Sequence, residues 1–198
     1  MVKTLITTLL LISSFMYTAN DELILSSITD YLNINIKNKT IIFVSIDAQK
    51  LYLIKKNIII KSYSISSSEY GIGNKNGSNK TPLGLHKIAR KIGEKTPING
   101  RMIARVFTGE TSIIYLDGSR SKTDDITSRI LWLQGEEDGI NKGENIDSFK
   151  RYIYIHGTSE EGLIGQPASH GCIRLKNKDV IDLYKDVAIG TLLSLIHI

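Results

Sequence analysis

The chain contains a single cysteine and four histidines, and two of the histidines share one short stretch with that cysteine. His156 to Arg174 reads H-G-T-S-E-E-G-L-I-G-Q-P-A-S-H-G-C-I-R. A thiol acting as a nucleophile needs a base in hydrogen-bond reach, a group that fixes the base's tautomer, and N–H groups aimed at the developing oxyanion. This stretch can supply all three. An unperturbed thiol has a pKa of about 8.5, so an imidazole beside Cys172 would help to deprotonate it near neutral pH. His170 is only two residues from the sulfur and has little freedom to face it, which suits loop or oxyanion support. His156, at the end of a separate strand, can approach from another side and is assigned the base. Gly171 lets the backbone turn sharply and present the amides of Gly171 and Cys172 to one oxygen. Gly157 allows its carbonyl to reach a ring nitrogen of His156, and Ser169 joins the loop-support group. The donor fork of Arg174 suits a substrate carboxylate or a pin for the loop, and Arg174 is carried as a substrate-binding candidate.

The same residues could in principle hold zinc, since His156, His170 and Cys172 are all possible ligands. No His-x-x-x-His or Cys-x-x-Cys spacing supports this, so no metal and no other cofactor is expected. The acidic group Glu136, Glu137, Asp138 and Glu144 lacks the ligand spacing of a calcium loop and reads as solvated. Gly71, Gly73 and Gly77 match neither nucleotide-binding fingerprint.

Stepping out to the whole chain, 198 residues with 41% hydrophobic residues can bury one core and do not call for several domains. One cysteine excludes an intrachain disulfide, so packing must hold the fold. The net charge of +5 favours an anionic partner. Basic residues crowd between Lys75 and Arg105, most simply as a solvated face. Without zinc-finger spacing, an aromatic RNA-binding signature or a recognition helix, no nucleic-acid partner is expected.

Met1 to Ala19, with Lys3 ahead of an apolar run from Leu5 to Met16, reads as an export signal or N-terminal anchor. The expected location is therefore the periplasm or cell envelope, free or peripheral to the membrane. Residues 20–39 are a lead-in with a short amphipathic helix over Asp21 to Tyr31. Alternating β-branched residues predict strands from Thr40 to Ile46, Leu51 to Ile54 and Ile58 to Ser64. Ser66 to Gly84 is rich in turn formers and is expected to be a substrate-side loop leading into a strand over Leu85 to Ala89. Apolar segments follow at Met102 to Phe107, Ile113 to Leu116 and Ile130 to Leu133, with Trp132 a core anchor. Arg151 to Ile155 alternates as a strand, with His156 at or just past its end. Asn177 is expected to cap a helix with Val180, Ile181, Tyr184 and Val187 on its apolar face, closed by Gly190. Leu192 to Ile196 is a last strand. Residues 40–198 thus read as one β-rich domain.

His156 to Thr158 followed by S-H-G-C-I-R-L at Ser169 to Leu175 resembles the signature of the YkuD-type L,D-transpeptidase catalytic domain. The strands from Ile41 to Ser64 and the Thr81 to Gly84 turn are similar too, so the likeness covers about Thr40 to Leu195. The segment Ile98 to Lys150 is long for a minimal domain of this kind. The resemblance implies a mainly β fold, a sandwich of mixed sheets with a packed C-terminal helix. It also implies a Cys172 acyl-enzyme made from peptidoglycan stem peptides, without a metal. Cys172 would expel the terminal D-alanine, His156 would handle protons, and an amine of a second stem would take the acyl group in a 3-3 cross-link. A lipoprotein or a free D-amino acid could also accept. Transfer to water would make the same site an L,D-carboxypeptidase; a wall-binding protein without activity is the non-enzymatic alternative.

Overall fold

The computed structural model describes Ser26 and residues 39–196. The expected export segment and, apart from Ser26 and Lys39, the lead-in lie outside the described residues. The alternating runs form ten strands: β1 (Thr40–Ser45), β2 (Lys50–Lys55), β3 (Ile58–Ser64), β4 (Gly84–Ile92), β5 (Gly100–Ile103), β6 (Val106–Thr111), β7 (Ile126–Gly135), β8 (Tyr154–Thr158), β9 (Ile173–Leu175) and β10 (Leu192–Ile196). An α-helix, α1 (Asn177–Asp186), is packed against them.

The strands make a single curled sheet in the order β3-β2-β1-β10-β4-β7-β5-β6, with β8 added to β7 and β9 to β8. The expected sandwich is thus closed by one sheet folding over, because ten-residue β7 is long enough to pair with β4, β5 and β8. The sheet is mixed: β1 and β10, like β8 and β9, run parallel, and the other pairs are antiparallel.

Period-two alternation then sorts the side chains. Leu131, Leu133, Ile155, Ile173 and Leu175 join the main core with Val44, Leu53, Leu195 and the helix residues Val180, Leu183 and Tyr184. Their neighbours Ile130, Trp132 and Tyr154 form a second cluster on the opposite face with Met102, and Cys172 packs against it. β7, β8 and β9 therefore bury aliphatic side chains on one face and a smaller, aromatic-rich cluster that includes the neighbourhood of Cys172 on the other.

Four local expectations are corrected. Met102 to Phe107 is a hairpin: Ala104 and Arg105 both have positive φ (48° and 70°) and turn β5 into β6. Tyr152, also at positive φ (58°), sits in a turn, so β8 begins at Tyr154 and His156 lies mid-strand. Asn177 is the first residue of α1 and does not cap it. Its side chain is a buried tie: Nδ2 donates to Thr158 O (2.8 Å) and Glu161 Oε1 (2.8 Å), while Oδ1 accepts from Thr127 Oγ1 (2.6 Å) and Ser128 Oγ (2.5 Å). Glu161 receives the Asn177 N–H at 2.7 Å and so serves as the cap. At the other end Lys91 Nζ donates to the Tyr184 and Val187 carbonyls, each at 2.7 Å. Leu183, rather than Ile181, completes the buried helical face.

Asn177→Ala leaves the Thr158 carbonyl and two hydroxyls buried without their partner. It should lower the unfolding free energy by about 2–4 kcal/mol, read from urea denaturation, with an unchanged m-value.

Candidate active site

The parallel pairing of β8 with β9 sets Ile155 beside Ile173 and His156 beside Arg174. Cys172, two residues before Arg174, therefore projects to the same outer face as His156 and Tyr154. The thiol is partly exposed. Its sulfur accepts the Tyr154 N–H at 3.4 Å and donates to the Tyr152 carbonyl at 3.5 Å.

His156 is buried, and its Nδ1 lies 2.7 Å from the carbonyl of Gly157, the contact anticipated for fixing the tautomer. With Nδ1–H donating there, Nε2 is left with its lone pair. Gly157 is sterically required, since a Cβ would come within 2.7 Å of Asn177 Oδ1 and of the Thr127 carbonyl. Burial lowers His156 to a pKa of about 4, against the Gly157 contact and the charge of Asp124, which both favour the proton. Burial pushes the Cys172 thiol up to about 11, although the Tyr154 amide and nearby Arg174 and Arg151 oppose it. At neutral pH the resting pair is a neutral thiol with a neutral imidazole.

The loop joining β8 to β9 is held from below by the segment 65–69. Gly165, Ala168 and Ser169 donate to Ile65 and Ser67 carbonyls, and Ser66 and Arg174 exchange two backbone bonds. Ser169 Oγ donates to the Cys172 carbonyl at 2.6 Å and accepts the Gly171 N–H at 3.2 Å. Gly171 has φ of +122°, open to glycine alone, but its amide is spent inside the loop and is not free for an oxyanion. Ser169 and Gly171 therefore brace the loop that carries Cys172. The Ser66 to Gly84 loop packs beside it: Thr81 Oγ1 donates to the Gly171 carbonyl at 3.2 Å. Arg151 pins that loop through the Gly73, Asn74 and Lys80 carbonyls at 3.2, 2.9 and 2.6 Å.

Arg174, carried as a substrate-binding candidate, is placed elsewhere. It is 1% exposed, its Nη1 bonds Glu160 Oε2 at 2.8 Å, and its Nη2 lies 2.6 Å from Asp124 Oδ2. Two internal carboxylates neutralise the guanidinium, so it pins the loop and has no charge to offer a substrate. His170 is exposed and bonds the same Asp124 Oδ2 through Nδ1 at 2.8 Å, with Nε2 3.7 Å from Glu69. It supports the loop from outside.

Asp124 is thus the hub that joins Arg174 and His170, and the sequence reading missed it. Burial raises its carboxyl, but the charge of Arg174, the His170 bond and the nearby His156 outweigh this and hold it below the usual carboxylate range. Asp124 arrives on a strap, residues 112–125, zipped to the β8–β9 loop by Tyr115 N to Ser159 O (2.7 Å), Gly162 N to Tyr115 O (2.9 Å) and Ser121 N to Glu160 Oε1 (2.7 Å). Only the need of a buried arginine for an anion could have pointed to it. Among the described residues, no group of three or more His, Cys, Asp or Glu side chains is placed to hold a metal ion.

A mixed sheet thus carries a partly exposed cysteine on the same outer face as a buried histidine. A family model for the L,D-transpeptidase catalytic domain matches residues 39–198, and the chain belongs to that family. A putative L,D-transpeptidase YkuD from Bacillus subtilis is 50% identical over 42 residues, 21% of this chain and 26% of the relative. A probable L,D-transpeptidase YbiS from Escherichia coli is 46% identical over 41 residues, 21% of this chain and 13% of that one. These matches therefore span about a quarter of the first relative's length and about an eighth of the second's. Among solved structures, an L,D-transpeptidase from Xylanimonas cellulosilytica superposes with a TM-score of 0.50 at 17% identity, covering 86% of this chain and 69% of that one. The L,D-transpeptidase LdtMt1 in complex with imipenem gives 0.50 at 16% identity, covering 80% and 59%. Both likenesses concern the fold.

The two buried histidines make a prediction in acid. His86, held between the Gly84 carbonyl (3.0 Å) and Ser148 Oγ (2.8 Å), is lowered by burial to about 4, as His156 is. Between pH 6.5 and 4 the unfolded chain binds protons that the folded one refuses. Stability from these groups is complete above pH 6.5 and lost as pH falls toward 4, by about 3 kcal/mol for each histidine. Thermal melts should show Tm dropping steeply across that window, and His86→Gln should flatten the slope by about half.

Proposed function

We propose that this chain is a cysteine-dependent peptidoglycan L,D-transpeptidase acting on tetrapeptide stems. The observation that carries the reading is the strand pairing that sets Cys172 and His156 on one outer face, with Nδ1 of His156 occupied by Gly157 and Nε2 left as the base.

Because the resting pair is neutral, the proton leaves the thiol during attack and not before it. Sγ of Cys172 bonds to the carbonyl carbon of the third stem residue as Nε2 of His156 takes the thiol proton. The amide of Cys172 faces the developing oxyanion. The tetrahedral intermediate collapses, the C–N bond breaks, and the imidazolium protonates the departing amine, so D-alanine leaves and a thioester remains. An amine of a second stem then attacks the thioester, gives a proton to His156, and expels the sulfur, which recovers that proton. The product is a 3-3 cross-link. Export to the envelope, supported by the apolar run Leu5 to Met16 behind Lys3, would bring the enzyme to this substrate.

Purified protein should release D-alanine from tetrapeptide muropeptides. Cys172→Ala should lower the rate at least about a thousandfold, and His156→Gln by about a hundred- to ten-thousandfold. Intact-mass measurement should find a carbapenem adduct on wild type and none on Cys172→Ala. Full turnover by the alanine variant would sink the reading. Dimeric products identify transfer to an amine; shortened monomers alone identify an L,D-carboxypeptidase.

A further inference from the structure

The basic crowding between Lys75 and Arg105 is partly absorbed inside the protein. Lys87 pairs with Glu136, Arg101 pairs with Asp125, and Lys91 closes the end of α1. Of the cations that remain, two are arginines. Among the described residues no carboxylate lies within ion-pair distance of Arg90 or Arg105; both rest on aromatic rings.

Those rings belong to the face that carries the thiol. Strand register aligns Arg90 of β4 with Trp132 of β7, and Trp132 with Tyr154 of β8, whose amide donates to the sulfur. Arg105 reaches the same row from above. It occupies the second of two positive-φ positions in the β5–β6 turn, a geometry that throws the hairpin's tip across the sheet. Its guanidinium carbon lies 5.0 Å from the Trp132 ring centre and 5.2 Å from that of Tyr152, and Nη1 donates to Tyr154 Oη at 3.4 Å. Tyr152 and Tyr154 are the two residues whose backbones touch the sulfur. The guanidinium therefore stands about one tyrosine side chain from the nucleophile.

Stacking on π faces orients a guanidinium but leaves most of its five N–H donors unspent. A half-buried, oriented, unneutralised fork is matched to a planar carboxylate. Of the other arginines near the thiol, Arg174 is already neutralised by Glu160 and Asp124, and Arg151 spends its donors on the Gly73, Asn74 and Lys80 carbonyls. Taking the function above as given, the leaving residue carries its carboxylate within about one residue spacing, ~3.8 Å, of the attacked carbonyl. We propose that Arg105 binds the free C-terminal carboxylate of the leaving D-alanine, and so selects stems that end one residue beyond the scissile bond over longer or amidated ones.

The test compares release of D-alanine from a tetrapeptide with release of D-alaninamide from the C-terminally amidated tetrapeptide. Wild type should prefer the acid by about ten- to a hundredfold in kcat/KM, the range expected of a charge-assisted contact. Arg105→Gln should lose that preference by slowing the acid while leaving the amide within about twofold, and Arg105→Lys should retain part of it. Equal slowing of both substrates would show a structural role for the hairpin tip and overturn the inference, as would equal wild-type rates. If wild type releases neither product, the functional reading fails, and the inference is judged by calorimetry on Cys172→Ala. There, a preference for the acid that disappears in Cys172→Ala/Arg105→Gln sustains it, and equal affinities for acid and amide overturn it.

Discussion

The site depends on one buried charge. Arg174 is 1% exposed in a strand only three residues long, and a guanidinium in that position is tolerable only if its charge is met inside the protein. Glu160, from the loop after β8, and Asp124, from the strap before β7, meet it. Each is fixed in turn, Glu160 by the Ser121 amide and Asp124 by His170. Loss of Arg174 would leave Glu160 buried without its cation, and loss of either carboxylate would leave the guanidinium only half matched. Cys172 inherits its position from this lock, standing two residues from the arginine on a strand too short to hold itself.

Around that lock the sheet divides its work by face. The residues of β7, β8 and β9 that point inward are aliphatic and anchor the main core; those pointing outward include the nucleophile, the imidazole and the aromatic row. Since side chains alternate strictly along a strand, a shift of β9 by one residue against β8 would send Cys172 to the aliphatic face and away from His156, which β7 holds in place. The backbone bonds between segment 65–69 and the β8–β9 loop oppose such a shift at several points.

Much of this was legible in the sequence, for physical reasons. β-Branched alternation marked β1, β2, β3 and β10, and the lone cysteine between glycine and isoleucine marked the nucleophile's loop. The Gly157 contact with His156 followed from the small size of the residue after the base. What escaped was everything set by tertiary charge or by positive φ. Ala104 and Arg105 have no turn-forming chemistry of their own, so the β5–β6 hairpin looked like one apolar run. Asp124 belongs to no motif, and its partner Arg174 is distant in sequence. The role of Arg174 was undetermined until its carboxylate partners were placed, and Asn177 looked like a cap because its type fits one, while its real partners are distant in sequence.

The raised pKa of the cysteine has a consequence beyond turnover. Peroxides and alkylating agents act on thiolates, and a sulfur held in the protonated form offers them little to attack. A bound peptide brings its carbonyl to the one place where the imidazole can take the proton, whereas a small oxidant gains nothing from that geometry. Protonation of the partly exposed sulfur thus separates the proposed acyl transfer from the damage to which an unpaired cysteine is otherwise open.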